Sequence, residues 1–495
     1  MAAHMASPLS AASLHARILP HLGWTVASLI AMAVLVAWLP DLNLPLGDSD
    51  DGRLLARFGL AARNFWELGP LESGFGARVD PYIRGEYGVE PGAAPPMEAV
   101  TYAHHPPLQV FFAILAVGML GDSPASLRIL GFLVGAATVL FMAAVGRNLG
   151  MAWTPILLAT GAMAATGFFF VYGRMGGGFS LIAASLAMVV HLREADDPPK
   201  WMLAGAAILS CLTAMQSWIA IAALGLGVIW LAAAKRTSEA TRYVAFGALA
   251  GLAVTGLWLL ANTPTAELAG QVTTRVDTTG YTMGEFLARQ WRFAGELTPV
   301  WWRALAPFAL VAGLVDRRTR VPVAITLSVA AALTFGTSQG AWVHRLWNFP
   351  WLAPITIGTM ALADMVRRTI RGRRAAILAA LGSIVVVVTF HGLFFGPTRD
   401  TYLRTPAAAG AIVARVPAPE GLMWVAPGIP TPRWISYHLD VPVWTIEERH
   451  ADQVGSDDLV LARIDRNRDW LILPDESLVD KGHYRLVAGA KTQDR

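Results

Sequence analysis

Eleven runs of apolar residues dominate this chain, at residues 22–39, 126–145, 153–171, 179–190, 201–216, 218–234, 244–260, 300–315, 321–335, 346–363 and 375–395. A helix needs about 20 predominantly apolar residues to cross a hydrocarbon core of ~30 Å, and most of these runs approach that length. Inside lipid each backbone amide must find its partner within the segment, which such a run does by coiling into a helix. Composition agrees. Of 495 residues only 15% are charged and 55% are hydrophobic, against roughly 25% charged in a soluble domain. The expected fold class is an α-helical polytopic membrane protein of about eleven transmembrane helices. The single Cys211 excludes a disulfide framework and a cysteine-based zinc site. A net charge of +4, carried in short loops, speaks of membrane orientation and of no nucleic-acid partner.

The loops set the orientation. Arg147, residues 191–200, Lys235-Arg236, Arg317-Arg318-Arg320 and the five arginines 367, 368, 371, 373 and 374 all fall on one side of an eleven-span path. Positive loops stay in the cytoplasm, so the N-terminus is expected inside and the C-terminus outside. Counting the apolar stretch 107–120 as a further span would move the five-arginine loop outside. It is therefore expected to enter or lie along the membrane without crossing. Pro40-Asp41 follows the first run in place of a small-residue cleavage site, so that run is a span and not a removable signal.

Two parts result. Residues 1–395 form a transmembrane domain with an extracytoplasmic loop at 41–125. Residues 396–495 lose the membrane composition and carry short β-like runs at 423–426, 441–446, 470–473 and 484–487, as expected of a small extracytoplasmic α/β domain. A second outer loop, 262–299, holds an amphipathic stretch at 283–297. No internal repeat supports an inverted-repeat transporter.

Chemistry collects on the outer face. The first loop opens Gly47-Asp48-Ser49-Asp50-Asp51-Gly52-Arg53. Three carboxylates in four positions beside a membrane are either solvated, with Asp50 or Asp51 starting a helix over 52–66, or used in catalysis. The loop closes Tyr102-Ala103-His104-His105-Pro106-Pro107-Leu108. The residue before proline avoids the helical region, so the chain enters the membrane extended. His104 and His105 are plain polar residues or ligands of a phosphate or a metal. Arg128, at the outer end of the second span, either snorkels to the interface or anchors a phosphate. Arg174, in Tyr172-Gly173-Arg174-Met175-Gly176-Gly177-Gly178, and the pair His344-Arg345 are similar outer cations. The glycines after Arg174 make a turn, since the Lys-Ser/Thr of a P-loop is absent. An enzyme acting on a lipid phosphate needs this set: a carboxylate base for the acceptor, cations for the leaving phosphate and apolar helices for the lipid. A transporter or flippase would place paired charges within the spans, where this sequence has almost none.

The order of these parts resembles the GT-C glycosyltransferases that use polyprenyl-phosphate sugars, such as the protein O-mannosyltransferases and the aminoarabinose transferases of lipid A. The resemblance runs from the acidic loop opening (Asp48, Asp50, Asp51) through Ala62-Arg63-Asn64-Phe65-Trp66-Glu67-Leu68-Gly69 and Tyr102 to Leu108. It continues to Leu120-Gly121-Asp122-Ser123-Pro124-Ala125-Ser126-Leu127-Arg128. It covers about residues 24–195, with His344 to Pro354 before a late span. It implies long spans, outer helices lying on the membrane, and metal-independent, cofactor-free inverting transfer. The donor would be a polyprenyl-phosphate-linked sugar and the acceptor a lipid, glycan or protein, with oligosaccharide transfer as the neighbouring alternative. Separately, the Ala-, Gly- and Arg-rich composition points to a GC-rich bacterium, hence to an inner-membrane location and undecaprenyl phosphate as the expected carrier. By the same resemblance Asp50 is the base, with Asp48 and Asp51 as alternates. His105 and Arg128 bind lipid phosphate, and His104, Arg174, His344, Arg345 and Arg63 join the substrate-binding set.

Overall fold

The fold is that of a computed structural model. It describes residues 11–79, 101, 106–175, 178–234, 238–263, 265–370, 374, 381–382, 386 and 395–426, and from there to 492 the strands, one helix and adjoining positions. His104 and His105 lie outside the described residues.

Ten of the eleven expected runs fall on helices, and the eleventh, 375–395, lies mostly outside the described residues. Among the described residues, four helical segments are long and apolar enough to cross a membrane: His21–Asp41, Pro124–Asn148, Ser238–Asn262 and Arg345–Thr369. Met283–Leu297 and Val300–Val315, bent by 117°, make a fifth if counted as one broken span. The other runs form shorter helices, so helix length alone does not reproduce eleven full spans. The run 153–171 shows why. Thr166 accepts a hydrogen bond from Phe169 N at 3.2 Å and starts a new helix, Gly167–Tyr172, after Trp153–Ala164 has ended. Leu108–Leu120 is the helix expected over 107–120. Thirteen residues rise only ~20 Å, too little to cross alone.

The first helix, Ala11–Trp38, delivers the chain to the acidic loop at a fixed point. Trp38 is fully buried, donates from Nε1 to Phe170 O at 3.0 Å and lies on Phe169 with ring centres 5.7 Å apart. Helix Pro124–Asn148 passes the same place through Gly135. A Cβ there would fall 2.3 Å from Gly173 O, so only glycine lets the helix reach the turn carrying Arg174.

The tail builds a five-stranded sheet in the order β2-β1-β3-β6-β5. Here β1 is Met423–Val425, β2 Val443–Thr445, β3 Leu459–Arg463, β5 Val479–Lys481 and β6 Tyr484–Ala488. β1 runs parallel to β2 and β3, and β6 antiparallel to β3 and β5. A separate pair joins β4, Leu471–Ile472, to β7, Lys491–Thr492. Alternate residues face opposite sides. Trp424, Trp444, Val460 and Val487 make one buried cluster. Val425, Val443, Leu461 and Leu486 share another with Trp434 and with Leu55, Phe58 and Leu60 of helix Asp50–Leu68. The sheet thus packs on the helix that leads out of the acidic loop.

Candidate active site

Ser49 caps helix Asp50–Leu68, its Oγ accepting from Gly52 N at 2.9 Å. The expectation that Asp50 or Asp51 would serve as cap is corrected: both stand in the first turn with their carboxylates released from that duty. The three acids then separate. Asp48, its side chain 2% exposed, accepts from Tyr484 Oη at 2.9 Å and lies 3.6 Å from Arg53 Nε. Asp51, 3% exposed, lies between Arg174 (3.0 Å) and Arg128 (3.4 Å) and accepts from Ser49 Oγ at 2.5 Å. Asp50 is 33% exposed. It takes one hydrogen bond on each oxygen, from Tyr172 Oη at 2.8 Å and from Arg53 Nη2 at 3.2 Å.

Beneath Asp50 runs a buried chain of charge. Arg399 donates to Asp41 at 2.7 Å, and Arg174 bridges Asp41 (2.9 Å) to Asp51. Arg128 closes the chain, donating also to the carbonyls of Leu42 (3.2 Å) and Leu44. Asp41 is fully buried and Arg128 and Arg174 are each 2% exposed. Burial alone would raise the Asp51 carboxyl. Arg174 and Arg128 outweigh it and hold the group at about 2, against an ordinary 3.8. Arg128 and Arg174, expected as phosphate ligands, have their guanidinium groups engaged within the fold. Arg63 is also placed elsewhere. It pairs with Asp122 (2.8 Å) and Asp440 (3.1 Å), donates to Tyr437 O and lies over the Tyr437 ring, clamping the tail to helix Asp50–Leu68.

The open side of Asp50 faces the start of the late segment Arg345–Thr369, where His344 and Arg345 both feel its charge. Arg345 pairs with Glu296 at 2.8 Å and covers the Tyr402 ring. His344 is open to solvent yet crowded by protein. That desolvation first, then Arg53, Arg275 and Arg57, push its imidazole below its ordinary value against the pull of Asp50. The arrangement is a half-open carboxylate in a cationic, aromatic-walled mouth, resting on a rigid ionic floor. Among the described residues no three His, Cys, Asp or Glu side chains converge as metal ligands. The residues that sequence reasoning left out are Asp41, Arg53, Tyr172, Arg399 and Tyr484. Only Arg53 carried a local signal, three positions after Asp50.

No protein-family model and no curated protein matches the chain. Solved structures do. ArnT from Cupriavidus metallidurans bound to undecaprenyl phosphate aligns at a TM-score of 0.56 and 13% identity, over 94% of this chain and 98% of that one. Its apo state aligns at 0.54 and 12%, over 95% and 98%. The Archaeoglobus fulgidus oligosaccharyltransferase in complex with zinc and sulfate aligns at 0.50 and 13%, over 89% and 68%. At these identities the likeness establishes the fold, the one that the sequence resemblance implied.

Proposed function

We propose that the chain is a membrane glycosyltransferase that moves a sugar from a polyprenyl-phosphate carrier to an extracytoplasmic lipid, glycan or protein acceptor, with inversion. The observation that carries this reading is the exposure of Asp50, the only one of the three loop acids with its side chain substantially open, beside Arg53, His344 and Arg345. Asp50 takes the proton of the acceptor's hydroxyl or amine. The freed electron pair attacks the anomeric carbon from the face opposite the phosphate. The bond from that carbon to the phosphate oxygen breaks, and its electron pair leaves with the carrier phosphate. Arg53 and Arg345 offset the charge that develops there. Undecaprenyl phosphate is our choice of carrier, following the molecule bound to ArnT. The test is lipid analysis of a strain lacking the gene. A polyprenyl-phosphate monosaccharide accumulates, and the wild-type gene, but not the Asp50→Asn form, clears it. Unchanged polyprenyl lipids would sink the reading.

The same reading puts the mouth outside an inner membrane and the five-arginine loop inside. In support, His344-Arg345 and the cluster Asp316, Arg318, Asp364, Arg367 and Arg368 lie at opposite ends of the segment Arg345–Thr369. Residues 396–495 are then an extracytoplasmic α/β domain. Fusion reporters at Arg371 and after Arg495 should give opposite sidedness, and the same sidedness at both would overturn this topology.

A further inference from the structure

Helix Met283–Leu297 starts on a capping box. Thr282 Oγ1 accepts from Glu285 N at 3.3 Å, and the Glu285 carboxylate accepts from Thr282 N at 2.8 Å, so its first turn needs no outside partner. It meets Val300–Val315 at a bend of 117°. With the second helix spanning, the first lies near the membrane plane. Phe286, Phe293 and Leu297 turn inward and are buried. Met283, Leu287 and Trp291 follow one another at four-residue spacing on another face and are 65%, 49% and 64% exposed, a stripe built for acyl chains.

The next position of that stripe is Gly295. A Cβ there would lie 3.1 Å from Nη1 of Arg303, and the Arg303 guanidinium carbon stands 5.2 Å from the centre of the Trp291 ring. The guanidinium therefore fills the fourth place of an otherwise apolar row. Its Nε is buried with no hydrogen-bond acceptor. The two acids of the helix are engaged elsewhere: Glu285 in the cap, Glu296 by Arg345 and Tyr402. A cation at the end of such an exposed stripe, with no acidic partner among the described residues, fits an anion that the membrane itself supplies.

We propose that Arg303, Trp291 and Gly295 form a site for the headgroup phosphate of an anionic phospholipid, whose acyl chains lie along Met283, Leu287 and Trp291. The site is independent of the Asp50 mouth and of the activity assigned to it. Tryptophan quenching by brominated lipids tests it. The full-length protein is placed in phosphatidylcholine nanodiscs containing equal mole fractions of brominated phosphatidylglycerol or brominated phosphatidylcholine. The difference from a Trp291→Phe variant isolates the Trp291 signal. We expect Trp291 to be quenched about fivefold more effectively by the anionic lipid. Arg303→Gln should equalise the two lipids while leaving the quenching itself. Gly295→Leu, which fills the slot, should do the same, with helicity checked by circular dichroism. Equal quenching by both lipids in the wild type would overturn the site, and so would quenching by neither. Displacement of the brominated phosphatidylglycerol by traces of undecaprenyl phosphate would reassign the site to the carrier lipid.

Discussion

Asp50→Asn should leave a folded, membrane-inserted protein whose turnover is lower by ~10²–10⁴, the range over which a positioned general base acts. The substitution is clean because the local structure does not rest on Asp50. Ser49, not Asp50, closes the helix start, so no capping energy is lost. Asparagine keeps a carbonyl oxygen to accept from Tyr172 or Arg53, and its size is nearly that of aspartate. What it lacks is a lone pair basic enough to take the acceptor's proton. Donor binding should change little, since the carrier phosphate is held by cations. The two other acids give the contrast. Asp48→Asn removes the charge facing Arg53 but keeps an acceptor for Tyr484, so turnover should stay within about tenfold of wild type, one kcal/mol or so of repositioning. Turnover assays on purified variants with a radiolabelled carrier-linked sugar would measure both. Near-normal turnover in Asp50→Asn removes it from the mechanism.

The membrane class was legible because a lipid environment dictates composition over twenty residues at a time, and no tertiary contact can override it. The acids of the first loop were legible as a group for a similar reason: a carboxylate cluster beside a span demands an explanation. Their separate roles were not legible. Asp51 is neutralised by Arg128 and Arg174, 77 and 123 residues away, and Asp48 meets Tyr484 at a separation of 436. Nothing local to Asp48, Asp50 and Asp51 encodes which one stays open. The partners of Arg63 are hidden for the same cause, since Tyr437 and Asp440 come from the tail. Serine and aspartate cap about equally well and the loop offers both, so its sequence does not single out Ser49 as the cap. In the tail, β3 carries no strand signal because Leu459-Val460-Leu461-Ala462 does not alternate. Val460, Leu461 and Ala462 are all fully buried, and a strand covered on both faces reads as a continuous apolar run.

Arg174→Ala should be the most destabilising single change around the acidic loop, costing about 3–5 kcal/mol. Among the described residues Arg174 alone pairs with both buried acids, Asp41 and Asp51, and its removal leaves two carboxylates facing one cation each, Arg399 and Arg128. Lysine should not rescue it, because a single ammonium cannot serve both acids with the planar fork of a guanidinium. Replacing the charges together should do better: Arg174→Met with Asp41→Asn and Asp51→Asn removes the burden of unpaired charge and should regain much of the loss. Acid supplies a second signature. The folded protein holds the Asp51 carboxyl at about 2 against an ordinary 3.8. A depressed carboxyl contributes stability that is full above the unfolded value and is lost as pH falls through the folded one. For Asp51 that is about 2 kcal/mol, present above pH 3.8 and gone below about pH 2. Without Arg174 the depression relaxes, so the gap between variant and wild type should be widest near neutral pH and should narrow in acid. Unfolding midpoints in detergent across that pH range measure both effects. A variant that unfolds with the wild type at every pH would show that the ionic floor beneath Asp50 is not what holds the loop in place.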